Sequence, residues 1–234
     1  MNQFFIHEAI FNLFPESVYG VIIAENVNNA CSNNEIFTDL LRKAETESLK
    51  HIELEPFILN PVVAEWREVF SKFKTKKGAR ASIEAMLKRI SKGEHIGSIN
   101  PLVDIYNSVA LKYGLSVGAT DIDTFKGSLR IAIADGNETF SVIGSEENDP
   151  PFPGEIIYKD DAGAVTRCFS WRDAQRTRTT ENTRNAFLMT ELLSQSRKDY
   201  FYKALDELES LVTLHLGAET TRYILDKSNP RIEF

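Results

Sequence analysis

The spacing of apolar residues predicts helices in the first and last parts of the chain. In residues 33–51, opened by a possible cap at Asn33, apolar side chains recur three or four positions apart. The same spacing runs from Asn60-Pro61 to Phe73, from Ser82 to Lys92 and from Arg197 to Gly217. We therefore expect four amphipathic helices here, besides a helical turn from Glu8 to Leu13.

A further helix, from Asn100 to Tyr113, is apolar on most of its circumference. Asn100 suits the capping position, Pro101 is tolerated in the first turn, and Gly114 suits the left-handed residue that ends a helix. Asp104 and Asn107, together with Ser108, share its one polar face. A helix this apolar is expected to be buried, so these polar side chains need hydrogen-bond partners or a pocket.

Elsewhere the period changes to two, which predicts strands. Alternating stretches cover 128–134, 140–143, 155–158 and 164–170, with turn sequences between them, and 185–193 is expected to be a further, buried strand. Two more short strands are expected within the first 30 residues. Strands clustered between helices indicate an α+β fold, with a largely antiparallel sheet flanked by helices. We find no safe boundary within residues 1–234 and expect one domain.

Composition is that of an ordinary globular protein, with 42% hydrophobic and 26% charged residues. No apolar run approaches the roughly 20 residues that a membrane-spanning helix needs, so we expect no membrane partner. The N-terminal segment lacks the basic region of a signal peptide. Two cysteines, Cys31 and Cys168, without paired spacing argue for a reducing compartment, and the cytoplasm is the expected location.

The charge is unevenly distributed along the chain. The net charge of −7 does not favour a general nucleic-acid binder. From Ser71 to Lys92, however, eight Lys or Arg stand against one acid, Glu84. This stretch is either a solvated surface or a set of contacts to a phosphate backbone. A second set of basic residues lies at Arg167, Arg172, Arg176, Arg178 and Arg184.

Common catalytic and cofactor signatures are absent from the sequence. There is no Gly-x-Gly-x-x-Gly, no phosphate-binding Gly-x-x-x-x-Gly-Lys, no His-Glu-x-x-His and no Gly-x-Ser-x-Gly. The four histidines are scattered, and we expect neither a metal site nor a cofactor. Asp121 and Asp123 form an acidic Asp-x-Asp, and Glu146 and Glu147 are a secondary source of a general base.

Two blocks of the chain, Asn100 to Asp123 and Thr166 to Leu193, resemble a known family. They are similar to the editing module (the B3/B4 domain) of the beta subunit of bacterial phenylalanyl-tRNA synthetase. The shared features are an Asn-x-x-Val-Asp-x-x-Asn helix before an Asp-x-Asp, and a loop before Thr-x-x-Thr-x-Asn and an apolar strand. Free-standing proteins with this module are more similar still, through Arg80-Ala-Ser-Ile-Glu-Ala and Trp171-Arg172.

This resemblance implies a B3/B4-like core at about 75–193. Residues 1–74 would then be an extension of strands and a helix, and 197–217 a C-terminal helix. The resemblance also implies that the Asp-x-Asp is structural. It makes tRNA or aminoacyl-tRNA the expected partner.

The chain departs from the synthetase modules at both residues on which their editing depends. The functional glutamate of their glycine-rich loop corresponds here to Gln175 or Arg176, and their functional histidine corresponds to Gly118. Other glycines of that loop are replaced by Asp173 and Ala174. Because fold similarity alone does not carry function, the same activity does not transfer directly.

Two interpretations of the 170–177 loop remain open. In the first it forms a rebuilt pocket for the aminoacyl end of a tRNA, with Asp173 and Gln175 as catalytic residues. Asp173 would orient a water, Arg172 or Arg176 would hold a phosphate or carboxylate, and Trp171 would stack. The full set of predicted binding residues is Asp104, Asn107, Ser170, Trp171, Arg172, Arg176 and Thr177.

In the second interpretation Arg172 and Asp173 form a local ion pair and Trp171 belongs to the core. Asp104 and Asn107 are likewise either structural or at the floor of the pocket. Three functions follow from these alternatives: hydrolysis of mischarged tRNA in trans, binding of RNA or an amino-acid-like ligand without catalysis, and a protein-interaction role of the N-terminal 70 residues.

Overall fold

The computed structural model describes residues 2–30 and 34–234, so Cys31 and the predicted cap Asn33 lie outside the described residues. The described helices are α1 (Glu8–Leu13), α2 (Asn34–Ser48), α3 (Pro61–Ser71), α4 (Ser82–Ile90), α5 (Pro101–Tyr113) and α6 (Lys198–Leu216). They agree with the helical periodicity of the sequence to within a few residues. None of these helices is long and apolar enough to cross a membrane.

The described strands form two sheets. They are β1 (Gln3–Ile6), β2 (Val18–Glu25), β3 (Val117–Asp121), β4 (Leu129–Ile133), β5 (Ile156–Asp160), β6 (Gly163–Arg167), β7 (Arg172–Asp173), β8 (Ala186–Leu192), β9 (Glu219–Leu225) and β10 (Arg231–Glu233). One sheet has the order β10-β1-β4-β5-β6-β7 and the other β3-β8-β2-β9. All pairs are antiparallel except β1 with β4. The predicted α+β class with largely antiparallel pairing is confirmed.

Aromatic side chains fill the space between the two sheets. The ring centroid of Phe4, on β1, lies 5.0 Å from that of Phe187 on β8 and 6.1 Å from that of Tyr158 on β5. All three side chains are buried. On the other face of the four-stranded sheet, β2 admits α6 because Gly20 has no side chain, and a Cβ there would lie 2.7 Å from Leu205 Cδ1. The four-stranded sheet is therefore covered on both faces.

Helix α5 is held by the local signals that predict it. The Asn100 side chain accepts a hydrogen bond from the Val103 N–H, and Gly114 ends the helix with φ +62°. The helix contacts α2, α6 and β3, so most of its surface is buried. This packing explains why the helix is apolar on most faces.

The structure differs from the predicted strands at several places. The alternation at 140–143 does not form a strand; Phe140 donates its N–H to the Asn148 side chain, and only Val142 forms an isolated bridge, to Ala174. Conversely, 117–121, 219–225 and 231–233 are strands that the periodicity does not indicate. In β3 the cause is a short mixed sequence, Val-Gly-Ala-Thr-Asp, whose Gly and Asp are typical of turns.

Candidate ligand-binding cleft

A cleft of about 290 Å³ opens between the edge strands of the two sheets. Strand β3 is the edge of the four-stranded sheet and β7 the edge of the six-stranded one. Each contributes one residue to the cleft, Ala119 and Asp173, and α5 forms a further wall. The remaining lining residues are Ile99, Asn100, Val103, Tyr106, Ile143, Arg178, Thr179, Thr180 and Glu181.

Asp173 is a carboxylate placed in this cleft without a cationic partner among the described residues. One oxygen, Oδ1, accepts a hydrogen bond of 3.0 Å from the Thr166 hydroxyl on the neighbouring strand β6. Burial raises the pKa of Asp173 to about 6, and the Thr166 hydrogen bond opposes this only in part. A carboxyl group that titrates near neutral pH suits proton transfer or the binding of a cation.

The backbone of Ala119 faces the same cleft. In the β3–β8 ladder the Ile122 N–H donates to the Asn185 carbonyl, so the alternation of antiparallel pairs directs Thr120 and Gly118 toward β8. Ala119 therefore presents its N–H and C=O to the open edge. No hydrogen bond from the described residues reaches either group, although Ala119 is only 6% exposed.

Two exposed isoleucines stand at the mouth of the cleft. Ile99 is 71% exposed and Ile143 is 49% exposed. The loop that carries Ile99 is fixed to α5 because Asp104 accepts hydrogen bonds from the Ile99 N–H, at 2.9 Å, and from the Ser98 hydroxyl. Desolvation raises the pKa of Asp104, although these donors oppose the shift. Asp104 thus acts on the cleft through the position of Ile99.

The predicted polar residues of α5 do not line the cleft. Asp104 is buried against the 98–99 loop, and Asn107 is partly buried and absent from the lining. The helix presents Val103 and Tyr106 instead. A helix turns by about 100° per residue, so its apolar neighbours face the cleft when Asp104 faces the loop. Val103 and Tyr106 are not predicted as site residues because they belong to the apolar part of the helix surface.

Ser170 and Trp171, at the start of the predicted loop, contact other residues of the protein and do not line the cleft. The Ser170 hydroxyl accepts a hydrogen bond from the Ser116 hydroxyl at 2.6 Å, and its carbonyl accepts from the Ser82 N–H at the start of α4. Trp171 is partly buried, with the guanidinium groups of Arg167 and Arg172 at 5.3 and 4.8 Å from its ring centroid.

The alternative ion pair between Arg172 and Asp173 is not formed. Among the described residues Arg172 makes no salt bridge, and its guanidinium rests on the Trp171 ring, while Asp173 is bonded to Thr166. Successive residues of a strand point to opposite faces, which separates the two side chains. Arg172 is exposed and free to meet a ligand outside the cleft.

Gln175, Arg176 and Thr177 do not line the cleft. Gln175 accepts a hydrogen bond from the Gly144 N–H and lines a separate cavity, which also includes Glu146. Arg176 forms two hydrogen bonds, of 2.8 and 2.9 Å, to the buried Asp160. Thr177 is fully buried. Of the predicted site residues, only Asp173 lines the cleft.

The space beside Gly118, where the resemblance predicts the editing histidine, is open. A Cβ built there would meet only Met189 Cε, at 3.7 Å. The backbone therefore does not exclude a side chain at Gly118, and the absence of a histidine is a difference of sequence alone.

The Asp-x-Asp has structural partners. Asp121 accepts hydrogen bonds from the Asp123 N–H and the Thr183 hydroxyl, and Asp123 accepts from the Asn185 amide. No group of three or more His, Cys, Asp or Glu residues with the geometry of a metal site occurs in residues 2–30 and 34–234.

The basic stretch from 71 to 92 divides into paired and unpaired side chains. Lys72, Lys76 and Arg89 form salt bridges to carboxylates. Within the described part of the chain, Lys74, Lys77, Arg80 and Lys92 form none, and all four are exposed. Lys88 also forms none, and its ammonium group lies 4.5 Å from the centroid of the Phe57 ring. Of the second basic set, Arg167 is completely buried against Glu155 and Asp149 and is not available to a nucleic acid.

Comparison with known proteins identifies the family. The model of the B3/4 domain matches residues 65–209. A solved structure, the N-terminal fragment of the phenylalanyl-tRNA synthetase beta-subunit from Pyrococcus horikoshii, matches 97% of this chain at 12% identity and a TM-score of 0.47. The chain spans 55% of that fragment. No curated protein sequence matches. Because the family model covers more than half of the sequence, the chain belongs to the B3/4 domain family.

Proposed function

We propose that this protein binds tRNA in the cytoplasm and holds the aminoacyl end in the cleft between β3 and β7. Membership of the B3/4 domain family and the resemblance to the synthetase editing module support a tRNA-related role. The observation that carries the proposal is the unpaired carboxylate of Asp173 inside this cleft. Hydrolysis of the ester of a mischarged tRNA is the activity that this group suits best.

In this reaction Asp173 acts as the general base. Its ionised carboxylate takes a proton from a water as the water oxygen attacks the ester carbonyl carbon. The carbonyl electron pair moves onto oxygen and returns as the bond to the ribose oxygen breaks. The proton then passes from Asp173 to that ribose oxygen, which releases a free amino acid and tRNA. A pKa of about 6 leaves most of the carboxyl ionised at pH 7.

Cations that form no salt bridge in the described structure suit contacts with tRNA phosphates. Arg178 lines the cleft itself, and Arg172 lies next to Asp173 in sequence. Further unpaired cations flank α4: Lys74, Lys77 and Arg80 precede the helix and Lys92 follows it. The first residue of this helix, Ser82, donates its N–H to the Ser170 carbonyl. Such contacts position a backbone and carry no sequence information.

Deacylation of a panel of correctly and incorrectly charged tRNAs tests this proposal. We expect accelerated hydrolysis of at least one mischarged species and a loss of about 100-fold in Asp173→Asn, the scale of a general base. Asp39→Asn is the matched control, because Asp39 is exposed on α2 and makes no hydrogen bond or salt bridge in the described structure. Equal rates in Asp173→Asn and in the unchanged protein would contradict the assignment of Asp173.

A second candidate is a binder of aminoacylated RNA that does not catalyse hydrolysis. The observation that favours it is the absence of the family's editing histidine and glutamate, at Gly118 and at Gln175 or Arg176. Salt-dependent tRNA binding without hydrolysis of any charged species would select this alternative.

A further inference from the structure

In the described structure Oδ2 of the Asp173 carboxylate and the Ala119 backbone lack hydrogen-bond partners in the cleft, which is also lined by the exposed Glu181 and the partly buried Arg178. Asp173 carries its charge near neutral pH, and its Oδ2 accepts no hydrogen bond from the described residues. The β3–β8 register turns the Ala119 N–H and C=O away from β8, Ala119 lines the same cleft, and neither group forms a hydrogen bond in the described structure. Nearly buried backbone groups of this kind are normally hydrogen-bonded.

These groups form a pattern that matches one chemical unit. A positive donor is needed opposite Asp173, a donor opposite the Ala119 C=O and an acceptor opposite the Ala119 N–H. The α-ammonium group of an amino acid supplies several donors, and the carbonyl oxygen of its ester supplies the acceptor. In an aminoacyl group the carbon that carries the ammonium group is bonded to the carbonyl carbon, so the donors and the acceptor lie close together. The N–H and C=O of Ala119 likewise lie close together on one strand edge.

The remaining walls define the side chain that fits beside this unit. The apolar part of the lining consists of Ile99, Val103, Tyr106 and Ile143, and the polar part of Asn100, Arg178, Thr179, Thr180 and Glu181. The two isoleucines at the mouth are exposed, although exposing large apolar side chains around one opening is unfavourable. An apolar ligand group bound in the cleft would cover them and remove their surface from water.

We propose that the cleft selects aminoacyl esters that have a free α-ammonium group and an aliphatic side chain. Asp173 and the Ala119 C=O bind the ammonium group, the Ala119 N–H binds the ester carbonyl, and Ile99 and Ile143 cover the side chain. N-blocked aminoacyl groups are disfavoured because they lack the positive charge, and acidic side chains because Asp173 and Glu181 repel them more than the single Arg178 attracts them. This selectivity rests on the proposed function, since it names the substrate class of the same cleft.

Stable amide analogues test the selectivity without tRNA. Three compounds are compared by calorimetry at pH 7.5: 3′-amino-3′-deoxyadenosine carrying leucyl, N-acetyl-leucyl or glutamyl groups. We expect the leucyl compound to bind roughly tenfold or more tightly than either of the others, the scale of one charge-assisted contact.

Two variants assign the contacts. Asp173→Asn is expected to remove the preference for the free ammonium group over the N-acetyl form. Ile99→Ser is expected to weaken the leucyl compound several-fold while the ammonium preference remains, because only apolar coverage is lost. Ile58→Ser is the control, since Ile58 is 47% exposed and does not line the cleft.

The outcomes separate this inference from the function on which it rests. Equal binding of the leucyl and N-acetyl compounds overturns the inference and leaves the aminoacyl-end assignment intact. Binding of none of the three, together with Asp173-dependent deacylation of charged tRNA, also overturns the inference alone. Binding of none, with no deacylation and no tRNA binding, overturns both.

Discussion

At the scale of single residues, two carboxyl groups have strongly raised pKa values for the same physical reason. Asp173 lies in the cleft, and Glu191, on β8, is buried between the sheets. Burial raises the pKa of Glu191 to about 7, while the Tyr158 hydroxyl, which donates a 2.6 Å hydrogen bond, opposes the shift and the charge of Asp173 adds to it. The folded structure therefore disfavours the ionised form of each carboxyl group.

Substitution of Glu191 by Gln is expected to flatten the dependence of stability on pH. Because the pKa of Glu191 is higher in the folded chain than its ordinary value of 4.5, its contribution is complete below pH 4.5 and is lost as the pH rises through about 7. Gln keeps an acceptor for Tyr158 and carries no charge. We expect Glu191→Gln to raise the free energy of unfolding at pH 8 by roughly 3 kcal/mol.

Urea unfolding at pH 5 and pH 8 measures this effect. The unchanged protein should lose more stability between the two pH values than Glu191→Gln does. The same loss in both proteins would show that Glu191 does not carry this part of the pH dependence.

At the scale of elements, the sequence predicts best those segments whose signals are local. Helix α5 is predicted to within a residue because its cap Asn100, its Pro101 and its terminal Gly114 lie within the segment. Strand β3 is not predicted, since its pairing with β8 is a long-range contact and its own residues resemble a turn. The cleft depends on the β3 edge, so its Ala119 groups cannot be found from periodicity.

The link between α5 and the 98–99 loop gives a prediction at this scale. Replacing Asp104 by Ala removes the acceptor for the Ile99 N–H and the Ser98 hydroxyl. We expect a loss of about 1–3 kcal/mol in the free energy of unfolding, the usual cost of unsatisfied donors. We also expect weaker binding of the leucyl analogue, because Ile99 is no longer fixed at the mouth of the cleft.

Asn107→Ala is the matched control on the same helix face. Asn107 makes no side-chain hydrogen bond among the described residues, so a change within about 0.5 kcal/mol is expected from thermal or urea unfolding. If both variants lost the same stability, the Asp104 contacts would not be the cause.

At the scale of the whole molecule, residues 1–74 are integral to both sheets. Strand β1 lies between β10 and β4, and β2 lies between β8 and β9. Deleting this segment would remove interior strands, so its separate roles have to be tested with surface substitutions. The sequence predicts the α+β class and one cleft residue, Asp173. Val103, Tyr106 and Arg178 escape prediction because only the packing of α5 and of the 178–181 segment brings them to the cleft.

The separation of charge also belongs to this scale. The net charge is −7, yet the unpaired cations at 74–92 form a local positive surface. A tRNA bound through this surface has a strong dependence on salt, whereas contacts of the aminoacyl group in the cleft are affected less. The dependence of affinity on salt therefore reports on the phosphate contacts, and the effect of the aminoacyl group on affinity reports on the cleft.

The most direct test of the central claim compares one tRNA with and without a non-hydrolysable aminoacyl group at its 3′ end. Equilibrium binding is measured for the unchanged protein and for Asp173→Asn at two salt concentrations. We predict that the aminoacyl group increases affinity roughly tenfold at both salt concentrations in the unchanged protein and not in Asp173→Asn. Equal affinity of the two tRNAs for the unchanged protein would contradict the claim that the cleft binds the aminoacyl end.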